Sequence, residues 1–183
     1  DEGETASRGL LRVLQLYGSY VAGAFDEAGM VAASIGLFQP PEDRAVHSYI
    51  TGVGDRGRGR GVGFAVKLDQ RSWALARGLT TITWTYDPLV RRNAYFNLGK
   101  LAARVTGYAT DLYGSMADQL NGTDESDRLL VGWDLQSSDV VRACAGHAAR
   151  PTVKRGEIAV GVDITADQRP VRGGRDAAVM SVA

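Results

Sequence analysis

The sequence predicts an α/β fold in which a mixed central sheet is flanked by helices. Three observations lead to it: a hairpin pattern near the N-terminus, a strand-helix-strand pattern around a glycine-rich turn, and two β-rich runs further on. The chain has 183 residues, of which 44% are apolar and 23% charged, which is typical of a globular protein. We place one domain over residues 1–135 and treat residues 136–183 as a C-terminal extension whose structure the pattern does not define.

The hairpin is predicted by two strand-like runs on either side of a turn. Residues 1–19 begin polar and then become rich in leucine, so we expect a short helix there at most. Tyr20–Phe25 and Met30–Phe38 have strand character, and Asp26–Gly29 between them has turn chemistry. The two strands are therefore expected to pair antiparallel.

The strand-helix-strand pattern follows directly. Val46–Val53 is predicted to be a strand, and apolar residues at helical spacing predict a helix over Val62–Arg77. Gly78 closes that helix as a C′ glycine, and the β-branched run Thr80–Tyr86 is the next strand. Two strands joined through a helix favour a parallel, right-handed β-α-β unit.

The remaining elements complete the sheet. We expect a helix from about Asn93 to Ala103, strands over Val105–Tyr108 and Arg128–Leu135, and a loop over residues 121–127. Beyond residue 136 the pattern indicates one strand within residues 154–164. Residues 168–176 have the composition of a solvated loop or a disordered end.

Composition excludes several classes of function. Lys and Arg total 21, as do Asp and Glu, so the net charge gives no reason to expect nucleic acid or an acidic membrane as a partner. The single cysteine, Cys144, rules out an internal disulfide and fits a reducing compartment, and with two histidines it argues against a zinc site, so no metal is expected. No apolar run approaches a membrane span and no signal peptide opens the chain, so we expect a cytoplasmic protein.

The most informative stretch is the turn from Val53 to Gly63, in which glycines alternate with Arg56, Arg58 and Arg60. Glycines let the backbone approach a ligand closely, and the N-terminus of the following helix carries a partial positive charge. The turn is therefore suited to a phosphate or pyrophosphate.

Three familiar interpretations of this turn fit poorly. A Walker-type loop lacks its Gly-Lys-Ser/Thr, and an arginine-glycine RNA-binding tract would lie in a disordered segment rather than between two ordered elements. Gly52 to Gly57 matches G-x-G-x-x-G, but that register buries four later glycines in a helix at roughly 1 kcal/mol each. Starting the helix at Gly61–Gly63 avoids this cost and leaves Arg56–Arg60 in the loop.

In that register, Arg58 to Gly63 forms R-x-x-G-x-G after a strand and before an amphipathic helix. This resembles the acyl-CoA-binding signature of the GNAT superfamily of N-acyltransferases, and the order of elements agrees over about Tyr20 to Leu135. The wider run of motifs from His47 to Leu130, including Trp84–Pro88, is similar to a GNAT-like bacterial family of mostly uncharacterised proteins, some linked to N-succinylation of amino acids.

The resemblance implies a CoA site and its partners. The partners would be acetyl-CoA or another acyl-CoA, a small amine acceptor and, as one option, a second copy of the chain in a homodimer. It also implies that Val53, at the end of a strand beside a splayed gap, contacts the pantetheine arm and that Asn93 contacts it from the next helix. The residues implied to bind the pyrophosphate are Arg58, Gly59, Arg60, Gly61, Val62 and Gly63.

The sequence also departs from the superfamily pattern. A tyrosine that commonly protonates the leaving thiolate is replaced by Leu98, and the glycine of the following K-x-G segment is Ala102. The N-terminal part is too short for the first strand and two helices usual in the fold. We therefore expect either a fragment that lacks them or a differently built acceptor side.

Amine acylation needs a base for the incoming ammonium and an acid for the thiolate. The candidates at strand ends are His47 and Asp87, although a strand-end histidine can simply bond to its surroundings and an Asp before Pro88 can simply form a turn. Candidate acids are Tyr86, Tyr95 and Tyr108, each of which could instead be a core residue. The predicted function is acyl transfer to a primary amine; a non-catalytic CoA-binding or regulatory module is the alternative.

Overall fold

The computed structural model describes residues 6–114, 126–149, 161–164 and 170–173, the last two ranges by their backbone alone. The helices are α1 (Arg8–Leu16), α2 (Val62–Leu75), α3 (Arg91–Ala94) and α4 (Ser138–Cys144). The strands are β1 (Tyr20–Asp26), β2 (Gly29–Phe38), β3 (Ala45–Val53), β4 (Thr81–Tyr86), β5 (Arg104–Ala109), β6 (Arg128–Asp134), β7 (Gly161–Ile164) and β8 (Pro170–Gly173).

Six strands form one mixed sheet in the order β1-β2-β3-β4-β6-β5, which confirms the predicted fold class. The predicted hairpin is present, since β1 and β2 pair antiparallel around the turn at Asp26–Gly29. β3 and β4 pair in parallel across α2, as the β-α-β pattern predicts, and the other neighbours in this sheet are antiparallel.

The sheet divides between β3 and β4. Their parallel ladder contains three residue pairs, the last being His47 with Thr83. β3 continues from there to Val53 and β4 to Tyr86 without pairing to each other. Tyr49 is an extra residue at the same level, because Ser48 pairs with Gly36 while Ile50 pairs with the preceding residue of β2. This bulge bends β3 at the point where the two strands separate. We call the resulting opening the fork.

Helix α2 begins where glycine energetics place it. Gly61 is its N-cap, with a left-handed φ of 77° that glycine adopts without strain, and the helix starts at Val62. At the other end, Gly78 has φ 72°, and the N–H groups of Leu79 and Gly78 donate to the carbonyls of Ala74 and Leu75. This is the predicted glycine closure in the form of a Schellman motif, which follows a regular helix that ends at Leu75.

The main core lies on the face of the sheet that α2 covers. Trp84 and Trp133, on neighbouring strands, meet edge to face at 6.0 Å, and the Trp133 Nε1–H donates to the carbonyl of Leu101. Val140 of α4 belongs to the same buried cluster. The core therefore receives side chains from beyond residue 135, while the proposed domain boundary there stays a prediction.

Two helical segments differ from the prediction. The helix expected over Asn93–Ala103 is α3 followed directly by a π-helical segment, Tyr95–Lys100, which ends before Ala102 with its positive φ of 55°. Helix α4 was not predicted. Its N-cap is Ser137, which accepts a hydrogen bond from the Val140 N–H and is a residue type that favours a helix start.

The interpretation of residues 168–176 as a loop is wrong for Pro170–Gly173. These residues form β8 and pair antiparallel with β7, the strand predicted within residues 154–164. The two strands are held together by backbone hydrogen bonds, which residue composition cannot predict. Pro170 is the first residue of β8, a position where proline is tolerated. Residues 121–125, 154–160, 168–169 and 174–176 lie outside the described residues.

Candidate functional site

A cleft with a volume of about 610 Å³ occupies the fork between β3 and β4. The glycine turn and the first turns of α2 form one wall, and α3 with the π-helical segment forms another. Residues from both strands line it, among them Ser48 and Trp84 where the strands separate and Val53 at the far end of β3. The cleft therefore runs from the separation point of the sheet to the N-terminus of a helix.

The glycines of the turn have different roles. Gly59 and Gly61 have φ values of 72° and 77°, and a Cβ added at either would meet no atom within 4 Å, so their surfaces face open space in the cleft. Gly57 is required for packing instead, because a Cβ there would lie 2.9 Å from Val53 Cγ1 and 3.0 Å from the Val31 carbonyl oxygen. Gly59 and Gly61 thus leave open the space that a ligand needs.

The N-terminus of α2 supplies hydrogen-bond donors to this space. The first N–H groups of a helix, here those of Val62, Gly63 and Phe64, have no partner within the helix. Gly61 has no side chain that could cap them. Open donors and the positive end of the helix dipole fit a phosphate, and these residues therefore fit a CoA pyrophosphate.

The arginines of the turn do not act together. Arg58 lines the cleft, with Nη1 2.8 Å from Asp55 Oδ1. Arg60 does not line it, because its guanidinium reaches back to Asp26 and to the carbonyl of Arg56, and Arg56 also pairs with Asp26. Two cations that sequence reasoning missed, Arg92 and Lys100, line the opposite wall. These three cations therefore come from three separate elements: the glycine turn, α3 and the π-helical segment.

Most of the predicted binding residues are brought together. Those that line the cleft are Val53, Arg58, Gly59, Gly61, Val62, Gly63 and Asn93. Arg60 is the exception, and its ion pair ties the glycine turn to the β1–β2 hairpin instead.

The two predicted catalytic residues lie outside the cleft lining. His47 is half-buried, and its Nδ1 is 3.0 Å from Thr83 Oγ1 at the last rung of the ladder. Burial, with a smaller contribution from the Lys67 charge, lowers the pKa of His47 below its usual value of 6.5. Asp87 forms the turn after β4, since its Oδ1 accepts a hydrogen bond from the Leu89 N–H. The structure thus gives Asp87 a local bond typical of a turn residue.

Lys67 is a cleft residue that sequence reasoning missed. Its side chain is 4% exposed, and its Nζ donates to Ser48 Oγ at 2.8 Å and to Gln70 Oε1 at 2.9 Å. The ammonium also lies 4.1 Å from the centre of the Trp84 ring, and burial lowers the pKa of Lys67 to about 7. The available signal was its spacing: four residues after Gly63 is the same face of α2.

Of the three tyrosines proposed as acids, two line the cleft and one does not. Tyr86 lines the cleft and is 6% exposed; its hydroxyl has no hydrogen-bond partner within the described residues, and burial raises its pKa. Tyr95 also lines the cleft, whereas Tyr108 lies elsewhere and donates to Asp127. Leu98, at the usual tyrosine position of the superfamily, does not line the cleft.

Two further properties bear on the type of site. Among the described residues, no cluster of three or more His, Cys, Asp or Glu side chains is arranged to hold a metal ion. In the same part of the chain, no helix has the length and apolar character needed to cross a membrane.

These features define an α/β protein whose central sheet opens at a glycine-rich helix N-terminus suited to an anionic ligand. No protein-family model matches the chain, and no curated protein matches it in sequence. Solved structures do match, and they include GNAT-family and other acetyltransferases.

Three of these structures illustrate the likeness. An N-acetyltransferase from Staphylococcus aureus Mu50 has a TM-score of 0.59 at 16% identity, covering 70% of this chain and 74% of that one. An IAA acetyltransferase from Bacillus cereus has 0.56 at 15%, covering 72% and 86%. A GNAT family acetyltransferase from Elizabethkingia anophelis with acetyl-CoA bound has 0.56 at 14%, covering 70% and 83%. At these identities the likeness shows the fold, which is the GNAT fold.

Proposed function

We propose that this chain is an acyl-CoA-dependent N-acyltransferase that moves an acetyl or succinyl group to a primary amine, such as that of an amino acid. The observation that carries the proposal is the fork, in which two parallel strands stop pairing and leave a cleft that leads to an uncapped helix N-terminus. This arrangement supports a ligand with an anionic end at the helix and an extended, amide-bearing arm along a strand.

The cleft suggests how acyl-CoA would lie. The pyrophosphate would receive N–H groups from Gly59–Gly63, with Arg58 beside it. From there to the closed end of the fork, β3 spans the six residues from Val53 back to Ser48, or roughly 16 Å of extended strand. The backbone of this stretch is not paired to β4 and can bond the amides of the pantetheine arm, while Asn93 contacts the arm from the opposite wall. The thioester would then lie near Ser48.

The chemistry would be direct attack of the amine on the thioester within a ternary complex. The nitrogen forms a bond to the carbonyl carbon, the carbon–sulfur bond breaks, and backbone N–H groups of β3 polarise the carbonyl oxygen. His47, whose lowered pKa keeps it neutral at pH 7, would take the proton that the ammonium must lose, directly or through water. Asp87 stays a second candidate base.

The comparisons support this assignment at the level of class. Similar solved structures include acetyltransferases of this fold, and one of them has acetyl-CoA bound. A cytoplasmic location and a homodimer stay part of the proposal.

Calorimetry followed by an activity assay tests the function. We expect the chain to bind acetyl-CoA or succinyl-CoA and to release free CoA thiol when a suitable amine from a panel of amino acids and small amines is added. Absence of CoA binding by the folded chain would contradict the proposal, because the cradle would then have no CoA to hold.

A non-catalytic CoA-binding or regulatory module is the second candidate, and Leu98 favours it. The residue that usually protonates the thiolate in the superfamily is absent there, and Leu98 does not line the cleft. Such a module would bind acyl-CoA in calorimetry and release no thiol with any amine, which separates it from an enzyme.

A further inference from the structure

A hydrogen-bonded pair of polar side chains, Ser48 on β3 and Lys67 on α2, lies at the closed end of the fork. We propose that Ser48 and Lys67 form a proton relay that protonates the CoA sulfur as it leaves, with Ser48 touching the sulfur and Lys67 standing behind it. This inference rests on the proposed function and assigns the acid that the chain lacks at Leu98.

The position of the pair is the first argument. Ser48 is the residue that directly follows the last rung between β3 and β4, so it marks the closed end of the fork. The phosphate cradle at Gly59–Gly63 lies at the other end of the cleft. An acyl-CoA whose pyrophosphate lies in the cradle therefore places its sulfur near Ser48. Both members of the pair line the cleft there.

The hydrogen bonds around Ser48 are the second argument. Lys67 Nζ donates to Ser48 Oγ at 2.8 Å, so the serine oxygen accepts and its own O–H is left to donate. The alternative acceptor, Thr51 Oγ1, is 3.5 Å away and is itself engaged with Ser34 Oγ at 2.8 Å. The Ser48 O–H is thus weakly held, and Ser48 lines the cleft.

The environment of Lys67 is the third argument. No ion pair joins its ammonium to a carboxylate in the described ranges; its acceptors are a serine hydroxyl, a neutral amide and an aromatic face. Burial lowers the pKa of Lys67 to about 7, so it can give up a proton and regain it near neutral pH. The titratable and charged groups on the surrounding elements are His47 and Tyr49 on β3, Asp69 and Arg71 on α2, Tyr86 on β4, Arg58 in the glycine turn, Arg92 on α3, and Tyr95 and Lys100 on the π-helical segment.

The proton balance closes without another reactant. As the carbon–sulfur bond breaks, the sulfur keeps the electron pair and takes the hydroxyl proton of Ser48. Lys67 passes a proton to the serine oxygen and is left as a neutral amine. The attacking ammonium releases protons as it becomes an amide, and one of them restores the charge on Lys67 through His47 or solvent.

The relay is tested in the full chain with Ser48→Ala and Lys67→Met, measuring thiol release against pH at saturating acetyl-CoA and amine. For the wild-type chain we expect kcat to fall above about pH 7, where Lys67 loses its proton. Each variant should lose about 100-fold in kcat and lose this falling limb, while KM for acetyl-CoA changes by less than about threefold. Lys100→Met, which removes an equal charge from the same cleft, should keep the falling limb.

A binding measurement gives a readout that does not depend on turnover. The probes are CoA and desulfo-CoA, in which hydrogen replaces the thiol. If Ser48 touches the sulfur, the wild-type chain should prefer CoA by about fivefold in calorimetry, and Ser48→Ala should bind both equally. Ser48→Ala removes a single oxygen and keeps the strand, so it remains informative if Lys67→Met fails to fold.

The outcomes separate the two proposals. Thiol release by the wild-type chain together with near-normal kcat and an unchanged pH limb in Ser48→Ala would overturn the relay and leave the acyltransferase in place. Equal affinity of the wild-type chain for CoA and desulfo-CoA would also overturn it. No thiol release from the wild-type chain with any amine would overturn the catalytic function and the relay with it.

Discussion

Gly61 combines a backbone requirement with an open surface. Its φ of 77° disfavours any side chain, and the space over it faces the phosphate cradle. We predict that Gly61→Ala lowers the free energy of unfolding by about 1 kcal/mol, because a Cβ is strained in the left-handed region. It should also weaken CoA binding about tenfold, because the methyl group occupies the cradle.

The matched control is Gly18→Ala. Gly18 has φ 74°, nothing within 4 Å of an added Cβ, and no place in the cleft lining. Denaturant unfolding should show the same loss for both variants, and calorimetry should show weaker CoA binding for Gly61→Ala alone. If the two variants bind CoA with equal affinity, the CoA pyrophosphate does not lie over Gly61.

As candidate bases, His47 and Asp87 differ in the effect that their replacement should have on kcat. His47→Ala should lower kcat about 100-fold with little change in CoA affinity, and Thr83 would keep its bond from Gln39. Asp87→Ala should lose a turn bond worth about 1 kcal/mol and keep kcat within about threefold. Steady-state kinetics on both variants decide between them, and the reverse order of effects would make Asp87 the base.

At the scale of single residues, the sequence predicts those positions whose role lies in the backbone. Gly59, Gly61 and Gly63 could be assigned because their cost within a helix is known from their residue type. Lys67 and Arg60 could not, because a lysine on a helix is usually solvated and an arginine near glycines has many partners within reach. Whether either faces the cleft depends on tertiary neighbours, Ser48 for the first and Asp26 for the second.

At the scale of elements, substitutions in α4 can show whether this helix unfolds together with the main core. Val140 is 1% exposed and belongs to the main core cluster, while Val141 beside it is 47% exposed. We predict that Val140→Ala destabilises the main unfolding transition by about 1–2 kcal/mol, whereas Val141→Ala changes it by less than about 0.5 kcal/mol. The measurement is denaturant unfolding followed by tryptophan fluorescence. An unchanged transition in Val140→Ala would place α4 in a unit that folds separately.

Elements were predictable in proportion to the length and regularity of their pattern. The hairpin and α2 have long runs with a clear period and turn residues at both ends. Helix α4 is seven residues long, too short for a period to show, and the π-helical segment has the same apolar spacing as the α-helix that was expected. The fork is a property of pairing between strands, so the resemblance could suggest it while the strand pattern could not.

At the scale of the whole molecule, the buried ammonium makes stability depend on pH. The pKa of Lys67 is about 7 in the folded chain and 10.5 ordinarily, so the unfolded chain binds more protons between these values. Stability should therefore rise with pH above about 7, by as much as about 1.4 kcal/mol per unit. The gain should level off near the ordinary cysteine value of 9.0, because burial raises the pKa of Cys144 and the unfolded chain then loses this thiol proton first. Near the ordinary tyrosine value of 10.0, the pKa of Tyr20, raised by burial and Asp69, acts in the same direction.

Thermal unfolding of the wild-type chain and of Lys67→Met between about pH 7 and about pH 8.5 measures this effect, below the range where Cys144 contributes. The wild-type melting temperature should increase across the range, and that of Lys67→Met should stay nearly level. Parallel curves for the two proteins would mean that Lys67 keeps its ordinary proton affinity in the folded chain.

The short ladder between β3 and β4 also has a consequence for local opening. It joins the two halves of the sheet, β1-β2-β3 and β4-β6-β5, through three residue pairs. On the separated parts of both strands, the amide hydrogens that point into the fork should therefore exchange with solvent more readily than those that bond to β2 or β6. An acyl-CoA lying in the fork would bridge the halves as a missing strand would. Its binding should then slow exchange of the fork-facing amides within Ser48–Val53 and within Trp84–Tyr86 together, so that the ligand completes the sheet that receives it.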